Sequence, residues 1–139
     1  DLNNRNVIGV DSCKLSFNKK NDDFKFIHQS AENFIENHKN KYDLIVLSDV
    51  IEHIYNPWKT LGHIKKILNK KGIILLSVPN FQNIKYINAI SSGNFFYEKT
   101  GLFDETHIRF FTLNTLVKYL KNLDFYVKEL NYQNQQLVW

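Results

Sequence analysis

The chain has 139 residues, of which 43% are hydrophobic and 14% aromatic, and its formal net charge is +4. These values indicate one folded domain with a substantial core and exclude a disordered chain. No apolar run approaches the roughly 20 residues of a membrane-spanning helix, and the single cysteine, Cys13, excludes an internal disulfide and a thiolate metal cluster. We therefore expect a cytoplasmic protein with no membrane span and no bound metal. The lysines are scattered rather than arranged in a basic stripe with interleaved aromatics, so no nucleic-acid partner is expected.

Four apolar segments predict the buried strands of a parallel sheet. Asn6–Asp11 is a short apolar run that ends in an acid, and Phe24–His28 alternates apolar and polar residues. Tyr42–Ser48 and Gly72–Val78 are almost continuously apolar, as strands covered on both faces are.

Helices are predicted between and after these strands. One begins at the cap Asn56 and Pro57 and ends at Gly72, after the basic pair Lys70–Lys71. Its predicted buried face comprises Trp58, Leu61, Ile64 and Leu68. Another begins at Thr112, with the predicted buried stripe Leu113, Leu116, Val117, Leu120 and Leu123. The last predicted elements are two closing strands that form a hairpin across Asn131–Asn134, namely Phe125–Leu130 and Gln136–Trp139.

Strands that alternate with helices indicate an α/β fold, with a mostly parallel sheet and helices on both faces. Ligands of such sheets bind at the carboxyl ends of the strands. The residues of interest therefore follow the strands, at Asp11–Ser12, Gln29–Glu32, Ser48–His53 and Pro79–Asn80. Residues 81–111 form one long aromatic-rich segment outside the alternation, and connections of that length are usually lids or partner surfaces.

Three groups of polar residues suit a chemical role. Asp11 can accept hydrogen bonds from two ribose hydroxyls, although an acid there also caps turns. The two acids and the histidine of Ser48–His53 can order a cationic cofactor and supply a base, unless His53 is only hydrogen-bonded into its loop. His107 and Arg109 would face the same side of an extended segment and close over the cleft. The alternative is a loop held by its own aromatics, with Arg109 paired to Asp104 or Glu105.

Two long blocks of the sequence resemble a known family. YDLIVLSDVIEHIYNPWKTLGHIKKILNKKGIILLSVPN is similar to the central block of the class I S-adenosylmethionine-dependent methyltransferases. GLFDETHIRFFTLNTLVKYLKNLDFYV is similar to the next block of the branch related to ubiquinone-biosynthesis O-methyltransferases and surface-glycan methyltransferases. The resemblance implies a Rossmann-like fold and S-adenosylmethionine as cofactor. The implied reaction is methyl transfer, at oxygen, to a small-molecule or glycan-type acceptor.

The resemblance also implies roles for individual residues. Asp11 and Ser12 match the ribose-binding position, Ser30 and Ala31 the adenine contacts, and Ser48 and Asp49 the surroundings of the methionine part. His53 and His107 match positions that face the transferred methyl group, and Tyr97 and Arg109 are expected to bind the acceptor. Ser30 stands where many members have an aspartate, which weakens the expected adenine contact.

The family's first strand and its Gly-x-Gly-x-Gly loop have no counterpart in this sequence. We therefore expect residues 1–139 to form a single, N-terminally incomplete methyltransferase domain, with residues 81–111 as a lid or acceptor-pocket insertion. In the family, the first strand lies between the second and the fourth, so a gap is expected there. The alternative is a non-catalytic scaffold or binding module with the methyltransferase fold.

Overall fold

A computed structural model describes residues 6–13 and 24–131 of the chain. Its strands are β1 (Val7–Asp11), β2 (Phe24–His28), β3 (Tyr42–Ser48) and β4 (Leu68–Ser77). Its α-helices are α1 (Ala31–Asn37), α2 (Pro57–Ile67), α3 (Ile84–Ser91) and α4 (Leu113–Asn122), and a 3-10 turn covers Ile51–His53. None of these helices is long and apolar enough to cross a membrane.

The strands form two parallel pairs. In the first pair Val7 lies opposite Phe24 and Asp11 opposite His28, while Ser48 and Ser77 end the second pair opposite each other. Within the described residues, no strand pairing joins β1 to β3. Parallel strands that alternate with helices confirm the Rossmann-like α/β fold, and the separation of the pairs agrees with the gap expected between β1 and β3.

The core lies on one face of the β3–β4 pair. Alternate residues of the strands point into it, and Leu47 of β3 is only 4% exposed. Helix α2 contributes Leu61 and Ile64, both fully buried, and Ile35 comes from α1. The opposite face keeps apolar side chains at the surface, since Leu44, Val46, Ile73 and Leu75 are 49%, 58%, 49% and 55% exposed. The described helices therefore cover one face of this pair.

The boundary between α2 and β4 differs from the prediction. Leu68 was placed on the buried face of the helix, but α2 ends at Ile67 and Leu68 begins β4, opposite Tyr42. Gly72, which was expected to follow the helix and begin the strand Gly72–Val78, lies inside β4, because the strand already begins at Leu68; Gly72 is next to a shift in the register. A Cβ at Gly72 would lie 2.9 Å from the carbonyl oxygen of Tyr42, so the close approach of the two strands requires glycine.

The C-terminal part also differs from the prediction. Helix α4 begins after the cap Thr112, as predicted, and Leu116, Leu120 and Leu123 pack against the core. Leu113 and Val117 instead line a shallow groove on the outer side of the helix. Phe125–Leu130 pairs with no other strand of the described residues, so the predicted closing strand stays a prediction. The predicted partner, Gln136–Trp139, lies outside the described residues.

Candidate active site

The carboxyl ends of β1 and β2 bring Asp11 and Ser12 next to His28. The Nε2 atom of His28 lies 2.8 Å from the carbonyl oxygen of Ser12. One carboxylate oxygen of Asp11, Oδ1, accepts the backbone N–H of Cys13 at 2.7 Å, so Asp11 does organise its own turn. Its second oxygen, Oδ2, accepts no hydrogen bond from the described residues and remains able to bind a hydroxyl group.

The two residues expected at the adenine lie at the start of α1. Ser30 is the N-cap, and its hydroxyl oxygen accepts the backbone N–H of Asn33 at 3.3 Å. This bond satisfies one of the free N–H groups of the first helical turn. Ala31 is the first helical residue and packs against the edge of the core. Ser30 therefore has a structural task that does not depend on a ligand.

The carboxyl ends of β3 and β4 bring Ser48 and Asp49 together through Ser77. The Ser77 hydroxyl donates to Oδ1 of Asp49 at 3.1 Å and accepts the backbone N–H of Asp49 at 3.1 Å. The hydroxyl oxygen of Ser48 lies 3.3 Å from that of Ser77. Asp49 has a left-handed backbone, with φ of 50°, which is uncommon for a residue other than glycine. Ser77 carries no signal in the sequence that distinguishes it from other strand residues.

The 3-10 turn after β3 holds the segment that carries His107. The carbonyl oxygen of Glu52 accepts the backbone N–H groups of Ile108 at 2.9 Å and Arg109 at 3.0 Å. Because two successive N–H groups share one acceptor, this segment is not a regular strand, and side chains there need not alternate between two sides. The double contact brings the Ile51–His53 turn and residues 106–109 into one structural unit.

His53 and His107, the two predicted catalytic residues, lie side by side, with ring centroids 4.8 Å apart. His53 is exposed, whereas His107 is 9% exposed. The Nδ1 atom of His53 lies 3.1 Å from the carbonyl oxygen of Thr106, and Nδ1 of His107 lies 3.4 Å from that of Leu102. A carbonyl oxygen only accepts hydrogen bonds, so each Nδ1 carries the proton and each Nε2 keeps its lone pair in the neutral ring.

A second contact fixes His53 in the same tautomer. Its Nδ1 also lies 3.0 Å from the hydroxyl oxygen of Thr106, and that hydroxyl donates its own proton to Asp104 at 2.6 Å. Thr106 can therefore only accept from His53. The hydrogen bonds from the side chain and backbone of Thr106 hold the pKa of Asp104 below its ordinary value of 3.8. Asp104 thus orients Thr106, and Thr106 orients the imidazole.

Glu52 is a further site residue that the sequence analysis placed only within a stretch. Its side chain is 1% exposed, and neither carboxylate oxygen has a hydrogen-bond partner among the described residues. Burial, with an added contribution from the negative charge of Asp49, raises the pKa of Glu52 from 4.5 to about 7. Ligating atoms of Glu52, His53 and His107 lie within 4.8 Å of one another, so this group could hold a divalent metal ion.

The aromatic segment 81–111 packs largely against itself beside this group. Tyr86 is 1% exposed and lies at its centre, and its hydroxyl donates to the carbonyl oxygen of Leu102. Burial, and then the charge of Glu52, raises the pKa of Tyr86 to about 12. Ring contacts with centroids 4.7 to 5.5 Å apart link Phe81, Tyr86, Phe95, Tyr97, Phe103 and Phe110. Tyr97, predicted to bind the acceptor, lies at the rim of this cluster and is 63% exposed.

Arg109, also predicted to bind the acceptor, makes hydrogen bonds and a ring contact within the protein. Its guanidinium donates to the backbone carbonyl oxygens of Tyr55 and Ile108, and it lies 5.1 Å above the centre of the Tyr55 ring. It pairs with neither acid considered from the sequence, since Glu105 binds Lys99 at 2.6 Å and Asp104 binds Thr106. Arg109 therefore fastens the segment after His107 to the loop before α2.

Three known proteins are similar to this chain in sequence. The chain is 31% identical over 86 residues to the mitochondrial ubiquinone biosynthesis O-methyltransferase of Dictyostelium discoideum, which covers 60% of this chain and 26% of that protein. The ubiquinone biosynthesis O-methyltransferase of Shewanella pealeana is 18% identical over 120 residues, which is 86% of this chain and 51% of that protein. That of Aromatoleum aromaticum is 20% identical over 103 residues, or 74% and 44% of the two chains.

The chain thus spans between about a quarter and a half of the length of these curated relatives. Its sequence also matches the family described as "Methyltransferase domain" over residues 2–130. Because that match covers nearly the whole chain, the protein belongs to the methyltransferase-domain family, the class I S-adenosylmethionine-dependent methyltransferases that its sequence resembles.

Proposed function

We propose that the protein transfers a methyl group from S-adenosylmethionine to a hydroxyl oxygen of a small-molecule or glycan-type acceptor. The observation that carries the proposal is the pair of imidazoles, His53 and His107, each with Nδ1 beside a backbone carbonyl oxygen and with no hydrogen bond at Nε2 from the described residues. The relatives, whose names describe O-methyltransferases, support oxygen as the receiving atom.

The residues at the two sheet ends have the chemistry that the cofactor requires. When bound, S-adenosylmethionine supplies an electrophilic methyl group on a positively charged sulfur. For the ribose hydroxyls, Asp11 offers a carboxylate oxygen that accepts no hydrogen bond from the described residues, and Asp49 offers negative charge and hydrogen-bond acceptance for the cationic methionine part. Ser12, Ser30 and Ala31 would border the adenosine, although the hydroxyl oxygen of Ser30 already caps α1.

The histidine pair supports proton removal from the acceptor. As the acceptor oxygen forms its bond to the methyl carbon, the bond between that carbon and sulfur breaks, and the hydroxyl proton must leave. Nε2 of His53 would take this proton, because His53 is exposed while His107 is nearly buried. His107 and the buried Glu52 border the same space. The protein's other contribution would be to hold the acceptor oxygen and the methyl group in line.

The aromatic segment 81–111 would act as the lid and acceptor-pocket insertion. Its rings surround Tyr86, whose hydroxyl donates to the Leu102 carbonyl oxygen that also lies beside Nδ1 of His107, and they would exclude water from the reacting atoms. Tyr97 would contact the acceptor from the rim, and Arg109 would hold the wall in place rather than bind the acceptor directly.

Binding and turnover by the full-length protein test this proposal. Calorimetry should detect binding of S-adenosylmethionine. Radiolabel from its methyl group should then appear on at least one member of a panel of phenols, sugars and lipid-linked precursors that carry free hydroxyl groups. A folded full-length protein that binds no S-adenosylmethionine would refute the proposal. Binding without transfer to any hydroxyl would instead favour the scaffold alternative.

A further inference from the structure

We propose that Asp104 is a positioning residue for methyl transfer, which keeps His53 in the tautomer that leaves Nε2 basic. Asp104 acts through Thr106, because it fixes the direction in which the Thr106 hydroxyl points its proton. This inference rests on the proposed function, in which Nε2 of His53 removes the acceptor's proton. It deepens that function by naming the side chain that prepares the base.

The Thr106 hydroxyl can meet Nδ1 of His53 in two ways, which favour opposite tautomers. The hydroxyl oxygen and Nδ1 are 3.0 Å apart. If the hydroxyl accepts, the imidazole proton lies on Nδ1 and the lone pair on Nε2. If the hydroxyl donates, Nδ1 must carry the lone pair and the proton moves to Nε2, which can then no longer take a proton from an acceptor.

Asp104 decides between these two arrangements. Its Oδ1 atom lies 2.6 Å from the Thr106 hydroxyl oxygen and 2.8 Å from the Thr106 backbone nitrogen. These two hydrogen bonds hold the pKa of Asp104 below its ordinary value of 3.8, so the group is a carboxylate near neutral pH and only accepts. The single proton of the hydroxyl therefore goes to Asp104, and only lone pairs are left for His53.

The backbone of Thr106 makes the expected effect a graded one. The Thr106 carbonyl oxygen lies 3.1 Å from Nδ1 of His53 and favours the same tautomer. Loss of the Asp104 side chain frees the hydroxyl to donate to Nδ1, in competition with this carbonyl, whereas loss of the hydroxyl leaves the carbonyl as the remaining Thr106 partner. Removal of the hydroxyl should therefore harm the base less than removal of the carboxylate that directs it.

The turn that carries Asp104 has main-chain bonds of its own. The N–H of Asp104 donates to the carbonyl oxygen of Gly101 at 3.3 Å, and the carbonyl oxygen of Asp104 accepts the N–H of His107 at 3.0 Å. The neighbouring acid, Glu105, is paired with Lys99 at 2.6 Å rather than with Thr106. A change of the Asp104 side chain can therefore redirect the hydroxyl while these main-chain bonds stay in place.

Three variants of the full-length protein test the inference by kinetics. Asp104→Ala should lower kcat about 10- to 100-fold, with the KM of the acceptor and the Kd of S-adenosylmethionine within about twofold, because only part of the contribution of the base is lost. Thr106→Val should keep kcat within about threefold of wild type, as expected for one neutral hydrogen bond. Asp104→Ala combined with Thr106→Val should return to the level of Thr106→Val, since no hydroxyl then remains to donate to Nδ1.

Nitrogen-15 NMR of the histidine rings gives a readout that needs no turnover. In EDTA, and at a pH at which the imidazoles are neutral, His53 of the wild type should carry its proton on Nδ1, and Asp104→Ala should shift the population towards Nε2. His107 is an internal control, because its Nδ1 lies beside the Leu102 carbonyl oxygen instead of Thr106. Glu105→Gln is the matched control, since it changes another acid of the same turn and should alter neither kcat nor the tautomer.

The possible failures are distinguishable. A loss of activity in Asp104→Ala that Thr106→Val does not recover would reveal a merely structural role and overturn the inference alone. Normal kcat and an unchanged tautomer in Asp104→Ala would do the same. A wild-type protein that transfers no methyl group would overturn the proposed function, and this inference with it, whichever tautomer NMR reports.

Discussion

The Nδ1 atom of His53 lies 3.1 Å from the carbonyl oxygen of Thr106, 53 positions further along the chain. This contact leaves Nε2 as the basic nitrogen, in a side chain that is exposed. His53→Ala should therefore lower kcat by about 10²–10⁴-fold while the Kd for S-adenosylmethionine stays within about twofold, because the base acts only on the acceptor. Steady-state kinetics and calorimetry on the full-length protein measure the two quantities.

A histidine on another element gives the control for that measurement. His63→Ala changes a half-buried histidine of α2, outside the imidazole pair, and should leave kcat unchanged. Normal turnover by His53→Ala would contradict the assignment. If His107→Ala then lost activity while remaining folded, the base would be His107.

The buried carboxyl group of Glu52 should make stability depend on pH. Its pKa is about 7 in the folded protein against 4.5 as reference, so the folded state binds the proton more tightly than the unfolded state. The contribution of Glu52 to the free energy of unfolding is therefore most favourable below pH 4.5. As the pH rises towards 7 this contribution falls, by at most about 3 kcal/mol. Glu52→Gln should be more stable than wild type at pH 8 and nearly equal to it at pH 4.5.

Denaturant unfolding at several pH values, with EDTA present to remove divalent ions, measures this difference. Glu36→Gln is a suitable control, because Glu36 is exposed and is paired with Lys59 at the surface, at 2.8 Å. A free energy of unfolding for Glu52→Gln that follows the wild-type curve at every pH would show that the carboxyl group is solvated.

Substitution by alanine should have opposite effects on stability at Gly72 and at Gly62. A Cβ at Gly72 would meet the Tyr42 carbonyl oxygen at 2.9 Å and the Leu68 side chain at 2.8 Å. We expect Gly72→Ala to lower the free energy of unfolding by about 1–3 kcal/mol, because the backbone of β3 must move. Gly62 lies inside α2 with its nearest neighbour at 3.9 Å, so Gly62→Ala should add up to about 1 kcal/mol. Equal effects in chemical denaturation would contradict the strand contact.

Tyr97 should influence the acceptor and not the cofactor. It is 63% exposed at the rim of the aromatic cluster, next to Phe95 at 5.5 Å between ring centroids. Tyr97→Ala should raise the KM of the acceptor about five- to tenfold, on the scale of about 1 kcal/mol for a lost aromatic contact, with an unchanged Kd for S-adenosylmethionine. Tyr126→Ala, at a 90% exposed tyrosine outside the segment, should change neither constant. An unchanged KM in Tyr97→Ala would remove Tyr97 from the acceptor site.

The strands were predictable where the local pattern was complete. Phe24–His28 and Tyr42–Ser48 have the predicted bounds, because the first alternates apolar and polar residues, the second is almost continuously apolar, and polar residues flank both. The end of α2 was not predictable, since Lys70–Lys71–Gly72 resembles a helix terminus. Pairing with Tyr42 overrides that local signal and moves Leu68 into β4.

The site was predictable only in part, because some of its contacts join residues that are far apart along the chain. His53 and His107 stood out as polar residues after a strand and before a helix, and the structure places their rings together. Ser77 is an ordinary strand residue in the sequence, and its role arises only from a contact with Asp49, 28 positions away. Glu52 likewise contacts residues far along the chain, since its carbonyl oxygen accepts the N–H groups of Ile108 and Arg109, which the local sequence does not reveal.

The carbonyl oxygen of Glu52 helps to position the two histidines independently of the side chains at the rim of the aromatic cluster. The N–H groups of Ile108 and Arg109 donate to this oxygen and hold the segment that carries His107 beside the turn that carries His53. Exchange of a ring at the rim, such as that of Tyr97, would reshape the proposed acceptor pocket and leave these main-chain bonds in place. Acceptor preference would therefore change most readily through substitution at such rim positions, whereas Leu102 and Asp104 would have to be kept, because they contact His107 and Thr106.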